Sequence, residues 1–385
     1  MFKNGIDVLF DDVTRYFEKG EKIGLITNPT GVNLQLKTTI DLLANCNYVD
    51  LKCLFALEHG IRGSIPAGVS FDDTIDEITK MKVYSLYNKN KRISKEVLDT
   101  VDTIVFDVQD VGVRYYTYFA SLVYAIQMCS EENKRLVVLD RPNPIGCKVF
   151  GNLLDINFKS FVGPIETCSG TGLTIGELAL LTKDLYYPKA LVTVVAMQGY
   201  QRNCHITDLD NIWIAPSPNI PFKRNVDYYP LTCVIEGTNV SEGRGTTKPF
   251  EIIGAPWFKE LEVIKALKIR NLEGVDYYPV YFKPTSSKQK DEQCKGIQIF
   301  ITNIDKIDYT RFSYELLSVI KAIHKEFKWI APFKEGRAHF IDYLCGSNEV
   351  RLGIDANKEY SLFEEKWTRE QETYKSLISK YYIYK

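Results

Sequence analysis

An α/β fold is predicted for this chain: a parallel sheet covered by helices over residues 1–220, then a smaller α+β domain over 221–385. Three observations predict it. Short continuous Val/Ile/Leu runs recur through the first two hundred residues, helical patterns separate them, and the alternation weakens from about Pro216 onward. A strand buried on both faces reads as an unbroken apolar run, and parallel neighbours need helical crossovers.

Taken in order, Gly5–Gly20 reads as a helix, and Lys22–Thr27 (KIGLIT) as a buried strand stopped by the turn cluster Asn28-Pro29-Thr30-Gly31. Leu36–Ala44 is helical, and Leu51–Leu57 (LKCLFAL) is a second strand ending at Glu58-His59-Gly60. Lys82–Leu86 is a third strand, Ser94–Leu98 a short helix, Thr103–Asp107 (TIVFD) a fourth strand, Tyr115–Cys129 a long helix and Arg135–Asp140 (RLVVLD) a fifth strand. A helix over Ile175–Asp184 and a strand over Leu191–Met197 continue the pattern. Pro216, Pro218 and Pro221 then fall in one irregular stretch, the expected domain hinge. Beyond it come strands over Val275–Phe282 and Gly296–Thr302 and amphipathic helices over Phe312–Phe327 and Phe363–Tyr382.

Composition excludes several classes. With 45% apolar and 25% charged residues the chain is neither disordered nor fibrous, and 385 residues suffice to bury a full core without disulfides. The 48 basic and 49 acidic residues cancel, so no overall field attracts a nucleic acid or an anionic membrane. The longest uncharged stretch, Tyr115–Ser130, is 16 residues with Thr, Ser and Gln, too short and too polar for a membrane span. Nine cysteines show no C-x-x-C spacing, which argues against a metal site and for reduced, core-forming thiols. With no secretory pattern at the N-terminus, the expected location is the cytoplasm; the alternative is an exported protein whose leader has been removed.

The chemistry-bearing residues follow strand ends. Glu58-His59 follow the second strand, Asp107 and Asp110 the fourth, and Asp140-Arg141 the fifth. In an open parallel sheet, ligands bind beyond the carboxyl ends of the strands, so these groups are expected on one edge. Carboxylates interspersed with Arg62, Arg114 and Arg141 and flanked by Tyr115 and Tyr116 suit a sugar, and glycoside hydrolysis needs two carboxyl groups in different protonation states. The competing reading, given equal weight for each aspartate, is a turn cap or an ion pair with an arginine. A second cluster, Glu236-Gly-Thr-Asn239-Val-Ser-Glu242-Gly-Arg244-Gly, packs three glycines among ligand-type side chains, against the reading of a solvated hairpin. Gly170-Thr-Gly172-Leu-Thr-Ile-Gly176 imitates a dinucleotide fingerprint, but its spacing is G-x-G-x-x-x-G and no strand precedes it, so we read a helix N-terminus. Trp213 suits either a sugar platform or the core. Four histidines without H-E-x-x-H, and no G-x-S-x-G, disfavour a zinc hydrolase or a serine esterase. His324 and His339 are expected to be structural.

Together the blocks EHGIRG (58–63), FDVQDVGVRYYTY (106–118), LDRPNPIG (139–146), TIGELA (174–179), PSPNIP (216–221) and EGTNVSEGRGTTKPFEIIGAP (236–256) resemble the bacterial exo-β-N-acetylmuramidase family of NamZ type, and the likeness extends through YFKPTSSK and CKGIQIF to the final helix. The resemblance implies a Rossmann-like N-terminal domain, a site in the cleft against the C-terminal domain, and removal of terminal β-1,4-linked N-acetylmuramic acid from peptidoglycan-derived saccharides, with no cofactor and no metal. On matching positions it implies Glu58 as catalytic acid or acid/base, with Asp107, Asp110, Glu236, Glu242 or the substrate's own acetamide as its partner. One of Arg62, Arg114, Arg141 and Arg244 is expected on the lactyl carboxylate, since a guanidinium binds carboxylates bidentately. His59, Tyr115, Tyr116, Asn219, Asn239 and Glu242 complete the expected substrate contacts. Another exo-β-N-acetylhexosaminidase, or a non-catalytic muropeptide-binding protein on the same fold, are the alternatives.

Overall fold

The computed structural model describes residues 2–63, 65, 69–87 and 92–385. In chain order the first part contains α1 (Gly5–Asp11), β1 (Glu21–Thr27), α2 (Thr39–Ala44), β2 (Val49–Ala56), β3 (Thr74–Ile75), β4 (Lys82–Ser85), α3 (Lys95–Leu98), β5 (Thr103–Asp107), α4 (Thr117–Glu131), β6 (Arg135–Leu139), β7 (Val149–Phe150), β8 (Gly170–Thr171), α5 (Ile175–Tyr186) and β9 (Leu191–Val195). After the proline-rich stretch come α6 (Asn225–Thr232), β10 (Ile252–Ala255), α7 (Glu260–Ile269), β11 (Val275–Phe282), β12 (Cys294–Ile301), α8 (Tyr309–Ile323), α9 (Phe340–Cys345), α10 (Glu349–Asp355) and α11 (Ser361–Ile378).

The principal sheet has the order β3-β4-β2-β1-β5-β6-β9, parallel throughout except for the short edge strand β3. Counting its parallel strands along the chain gives 3-2-1-4-5-6, the doubly wound Rossmann order. Alternate residues of one strand serve opposite faces, which is why the strand sequences do not alternate: Ile23 and Leu25 join Ile6, Leu9, Ile40 and Leu43 on one face, while Ile26 joins Phe55, Phe106 and Phe119 on the other. The second part carries an antiparallel sheet, β10-β12-β11, packed against α7, on which α8 packs in turn. Among the described residues no helix is long and apolar enough to cross a membrane.

The chain then returns to the first sheet. Asp140, at the end of β6 and fully buried, accepts bonds from the Arg141 and Gly176 amides at 2.9 and 2.8 Å, the Thr174 hydroxyl at 2.8 Å and the Tyr384 phenol at 2.6 Å. Burial still pushes its carboxyl up to about 6. Asp140 therefore joins the C-terminus to the sheet. Thr174 caps α5 through a reciprocal box with Glu177, so the segment Gly170–Gly176 runs from the short strand β8 into a helix N-terminus. The expected helix over 5–20 is divided: Asp12 is extended (φ −159°) and its carboxylate accepts from the Thr14 amide, starting a separate 3-10 turn over Val13–Arg15.

His324 follows α8 and is structural. Its Nδ1 donates to the Ile320 carbonyl at 2.7 Å, its Nε2 accepts from the Lys259 amide at 2.9 Å, and its ring stacks on Phe258. The bond accepted at Nε2 requires the neutral imidazole, and burial lowers the ring's pKa from its ordinary 6.5. The native state then binds fewer protons here than the unfolded chain, so the contribution is complete above about pH 6.5 and is lost as pH falls below it. Urea midpoints measured from pH 7.5 to 5 are expected to decline, and to decline less steeply in His324→Gln, which keeps an acceptor without a titratable ring. An equal slope in both proteins would contradict this assignment.

Candidate active site

Beyond the strand ends, a cleft of about 960 Å³ opens between the sheet and the second part of the chain, near the upper limit of small-molecule sites, roughly 1,000 Å³. Glu58 reaches it because the chain leaving β2 turns sharply, with His59 (φ 73°) and Gly60 (φ 75°) both left-handed and the Gly60 amide bonded to the Leu57 carbonyl. The Thr117 hydroxyl, at the first turn of α4, donates to Glu58 Oε2 at 2.9 Å, and the Tyr87 phenol also hydrogen-bonds this carboxylate. Burial and the adjacent carboxylate raise the Tyr87 pKa far above the ordinary phenol value, so the phenol retains its proton and donates. His59 lines the cleft with Nδ1 at 2.9 Å from the Ile65 carbonyl.

Aromatic rings form the floor. Tyr118 meets Tyr116 edge-on at 5.0 Å, Tyr116 meets Tyr229 at 5.6 Å, and Tyr229 meets Phe250 at 4.8 Å, with Tyr115 beside Tyr229 at 5.7 Å. Such edge-to-face contacts hold the rings rigidly. The Tyr118 hydroxyl donates to the Pro216 carbonyl at 2.6 Å, fixing the irregular stretch so that Ser217–Ile220, with Asn219, lines the cleft.

The glycine-rich loop supplies the charges. Glu236 lies on a 3-10 turn over Cys233–Gly237 and is held by Arg244 Nη2 at 2.5 Å. Arg244 Nε also faces Glu242 Oε1 at 3.2 Å, and Lys288 Nζ faces Glu242 Oε2 at 2.9 Å. These two cations hold the buried Glu242 carboxyl below its ordinary range against its desolvation. Lys288 spends its other protons on the Ile235 and Thr238 carbonyls at 2.7 and 3.0 Å, so it ties the 286–288 loop to the backbone on either side of Glu236 and Gly237. Gly243 and Gly245, at φ 80° and 75°, cannot be replaced cheaply: a Cβ would lie 2.6 Å from the Ile252 carbonyl oxygen or 2.4 Å from the Ser286 nitrogen.

Several residues expected here lie elsewhere. Asp107 and Arg141 form a closed ion pair, Nε–Oδ1 2.6 Å and Nη2–Oδ2 2.9 Å, with Thr39 also donating to Asp107. It occupies the crevice between β1 and β5 where the strand order reverses, and it leaves beside it only a hollow of about 30 Å³, room for roughly one water. Arg114 is fully buried and donates to the Asn152, Thr167 and Leu344 carbonyls at 3.2, 2.6 and 3.3 Å, fastening the C-terminal end of α9 to the first part of the chain. Arg62 is bidentate to Asp76 at 3.0 and 2.9 Å, holding Asp76 down to about 2. Asn239 bridges the Glu326 carbonyl and the Lys328 amide at 2.8 and 2.9 Å. Trp213 donates to the Ile220 carbonyl at 3.2 Å outside the cleft. Asp110 is buried behind the floor, one oxygen on the Gly112 amide at 2.7 Å, and burial pushes its carboxyl up to about 7.

The expected residues that do line the cleft are Glu58, His59, Tyr115, Tyr116, Asn219, Glu236, Glu242 and Arg244. Sequence reasoning missed Thr117, Tyr87, Lys288 and the apolar lining residues Phe161, Phe333 and Phe340. The hydroxyl-rich TSSK run over 285–288, in the loop after β11, was the available signal for Lys288; nothing local marks Tyr87.

A doubly wound sheet whose strand-end carboxylate shares one cleft with a second carboxylate, an arginine and an aromatic floor is an α/β arrangement suited to glycoside hydrolysis. Residues 23–224 match the N-terminal model of exo-beta-N-acetylmuramidase NamZ and residues 227–384 its C-terminal model. The chain therefore belongs to the NamZ exo-β-N-acetylmuramidase family. It is 39% identical to the peptidoglycan beta-N-acetylmuramidase NamZ of Bacillus subtilis (strain 168), over 99% of this chain and 91% of that protein. Two DUF1343 family proteins of Bacteroides fragilis NCTC 9343, known from crystal structures, superpose over 100% of this chain and 99% of theirs, at TM-scores of 0.89 and 0.77 with 32% and 28% identity.

Proposed function

We propose that this protein is an exo-acting β-N-acetylmuramidase that releases terminal N-acetylmuramic acid from the non-reducing end of peptidoglycan fragments. The observation that carries the reading is the presence of Glu58 and Glu236 in one saccharide-sized cleft of a chain that matches this family from end to end. Glu58, held by Thr117 and Tyr87, delivers the proton to the glycosidic oxygen, and Glu236 or the substrate acetamide stabilises the positive charge that develops at the anomeric carbon. Of the four arginines expected on the lactyl carboxylate, Arg244 is the one that lines the cleft, and among the described residues its Nη1 is bonded to no protein group. We assign it that contact, since a guanidinium already anchored through two nitrogens is preorganised to present the third.

Incubation with N-acetylmuramyl-N-acetylglucosamine, the products read by mass spectrometry, is expected to show both free monosaccharides. Equal rates on aryl β-glycosides of N-acetylmuramic acid and N-acetylglucosamine would replace the reading with a general hexosaminidase. Tight binding without release would replace it with a binding protein.

A further inference from the structure

The charged side chains of the cleft belong to Glu58 and the 236–244 and 286–288 segments, and Phe161, Val162, Ile330, Phe333, Phe340 and Leu344 supply apolar lining. Phe333 is 83% exposed, its ring propped edge-on against Phe340 at 6.1 Å. Phe161 packs 5.8 Å from Tyr124 and 6.2 Å from Tyr87, whose phenol holds Glu58. One ring therefore separates Phe161 from the proposed acid.

That adjacency has a chemical direction. A general acid must sit at the oxygen joining the two sugars, so the surfaces on either side of Glu58 face the released sugar and the leaving sugar respectively. A muramic acid residue carries a carboxylate, which would be desolvated without compensation against phenylalanines but meets Arg244 on the charged side. The leaving N-acetylglucosamine is uncharged and presents a C–H face that stacks on an aromatic ring. We infer that Phe161 and Phe333, from the apolar lining, hold the leaving sugar, and that they set the preference for a saccharide aglycone. This inference rests on the muramidase reading above.

The test compares kcat/KM for N-acetylmuramyl-N-acetylglucosamine with that for methyl β-N-acetylmuramide, whose aglycone is too small to reach either ring. Phe333→Ala removes an exposed ring and no core packing, and Phe161→Ala is its companion, both checked by thermal melting. The disaccharide-to-methyl ratio is expected to fall about tenfold in each, chiefly through KM of the disaccharide, and to be retained in Phe333→Tyr. A ratio within twofold of the unmodified protein in both alanine variants, whether because neither substrate or both substrates suffer, would overturn the assignment. Release of no muramic acid from either substrate by the unmodified protein would overturn the muramidase reading itself, an outcome distinct from an unchanged ratio.

Discussion

Glu58→Gln is expected to lower kcat/KM on the muramyl disaccharide by roughly 10²–10⁴-fold, the contribution of a positioned general acid. The amide keeps the shape of the carboxyl and can still accept from Thr117, which donates to Glu58 Oε2 at 2.9 Å, so affinity for the disaccharide measured by calorimetry should change little. The loss should shrink on an aryl β-muramide with a strongly acidic phenol as leaving group, because such a group departs without protonation. An equal loss on both substrates would assign Glu58 another role, and retention of a tenth or more of the disaccharide activity would remove it from the chemistry.

Arg244→Met is expected to have the second largest effect, on activity and stability together. Glu242 has a side chain only 2% exposed and depends on Arg244 and Lys288 for compensation, while Glu236 is held through Arg244 Nη2. Removing Arg244 leaves the buried Glu242 to Lys288 alone, at a cost of about 3 kcal/mol in unfolding free energy, the lower end for a broken buried pair. Releasing Glu236 and the proposed lactyl contact should lower kcat/KM by roughly 10²-fold, because truncating one partner of a buried charge pair typically costs 2–5 kcal/mol. Arg244→Lys should recover most of the stability and little of the activity, since an ammonium restores the charge without the fork that addresses two carboxylates. Denaturant titration and steady-state kinetics on the same preparations separate the two effects. Unchanged kinetics in Arg244→Met would show that the cluster only braces the loop.

The fold was legible because its determinants are local or periodic. TIVFD at Thr103–Asp107 and VDYYPVYF at Val275–Phe282 coincide with strands of the structure, and the cap Thr174 with Glu177 three residues later marks the start of α5. What escaped were short elements without a strong period, among them α6 with its internal Pro230 and the six-residue α9, which are held by contacts with distant segments.

The sequence by itself determined the class of fold, the placement of acids after strand ends and, through its long blocks, the family resemblance. It did not determine which acids face a ligand. Glu58, Asp107 and Asp140 all follow buried strands, yet Asp107 closes on Arg141, Asp140 receives Tyr384 from 244 residues away, and Glu58 opens into the cleft. Arg114 sits in a block as suggestive as that of Arg244 and is consumed by carbonyls as far as 230 residues along the chain. A buried charge or dipole must be compensated wherever the fold brings a partner within hydrogen-bond reach, and that pairing is long-range. Only the tertiary structure decided which groups were compensated inside the protein and which remained for a substrate.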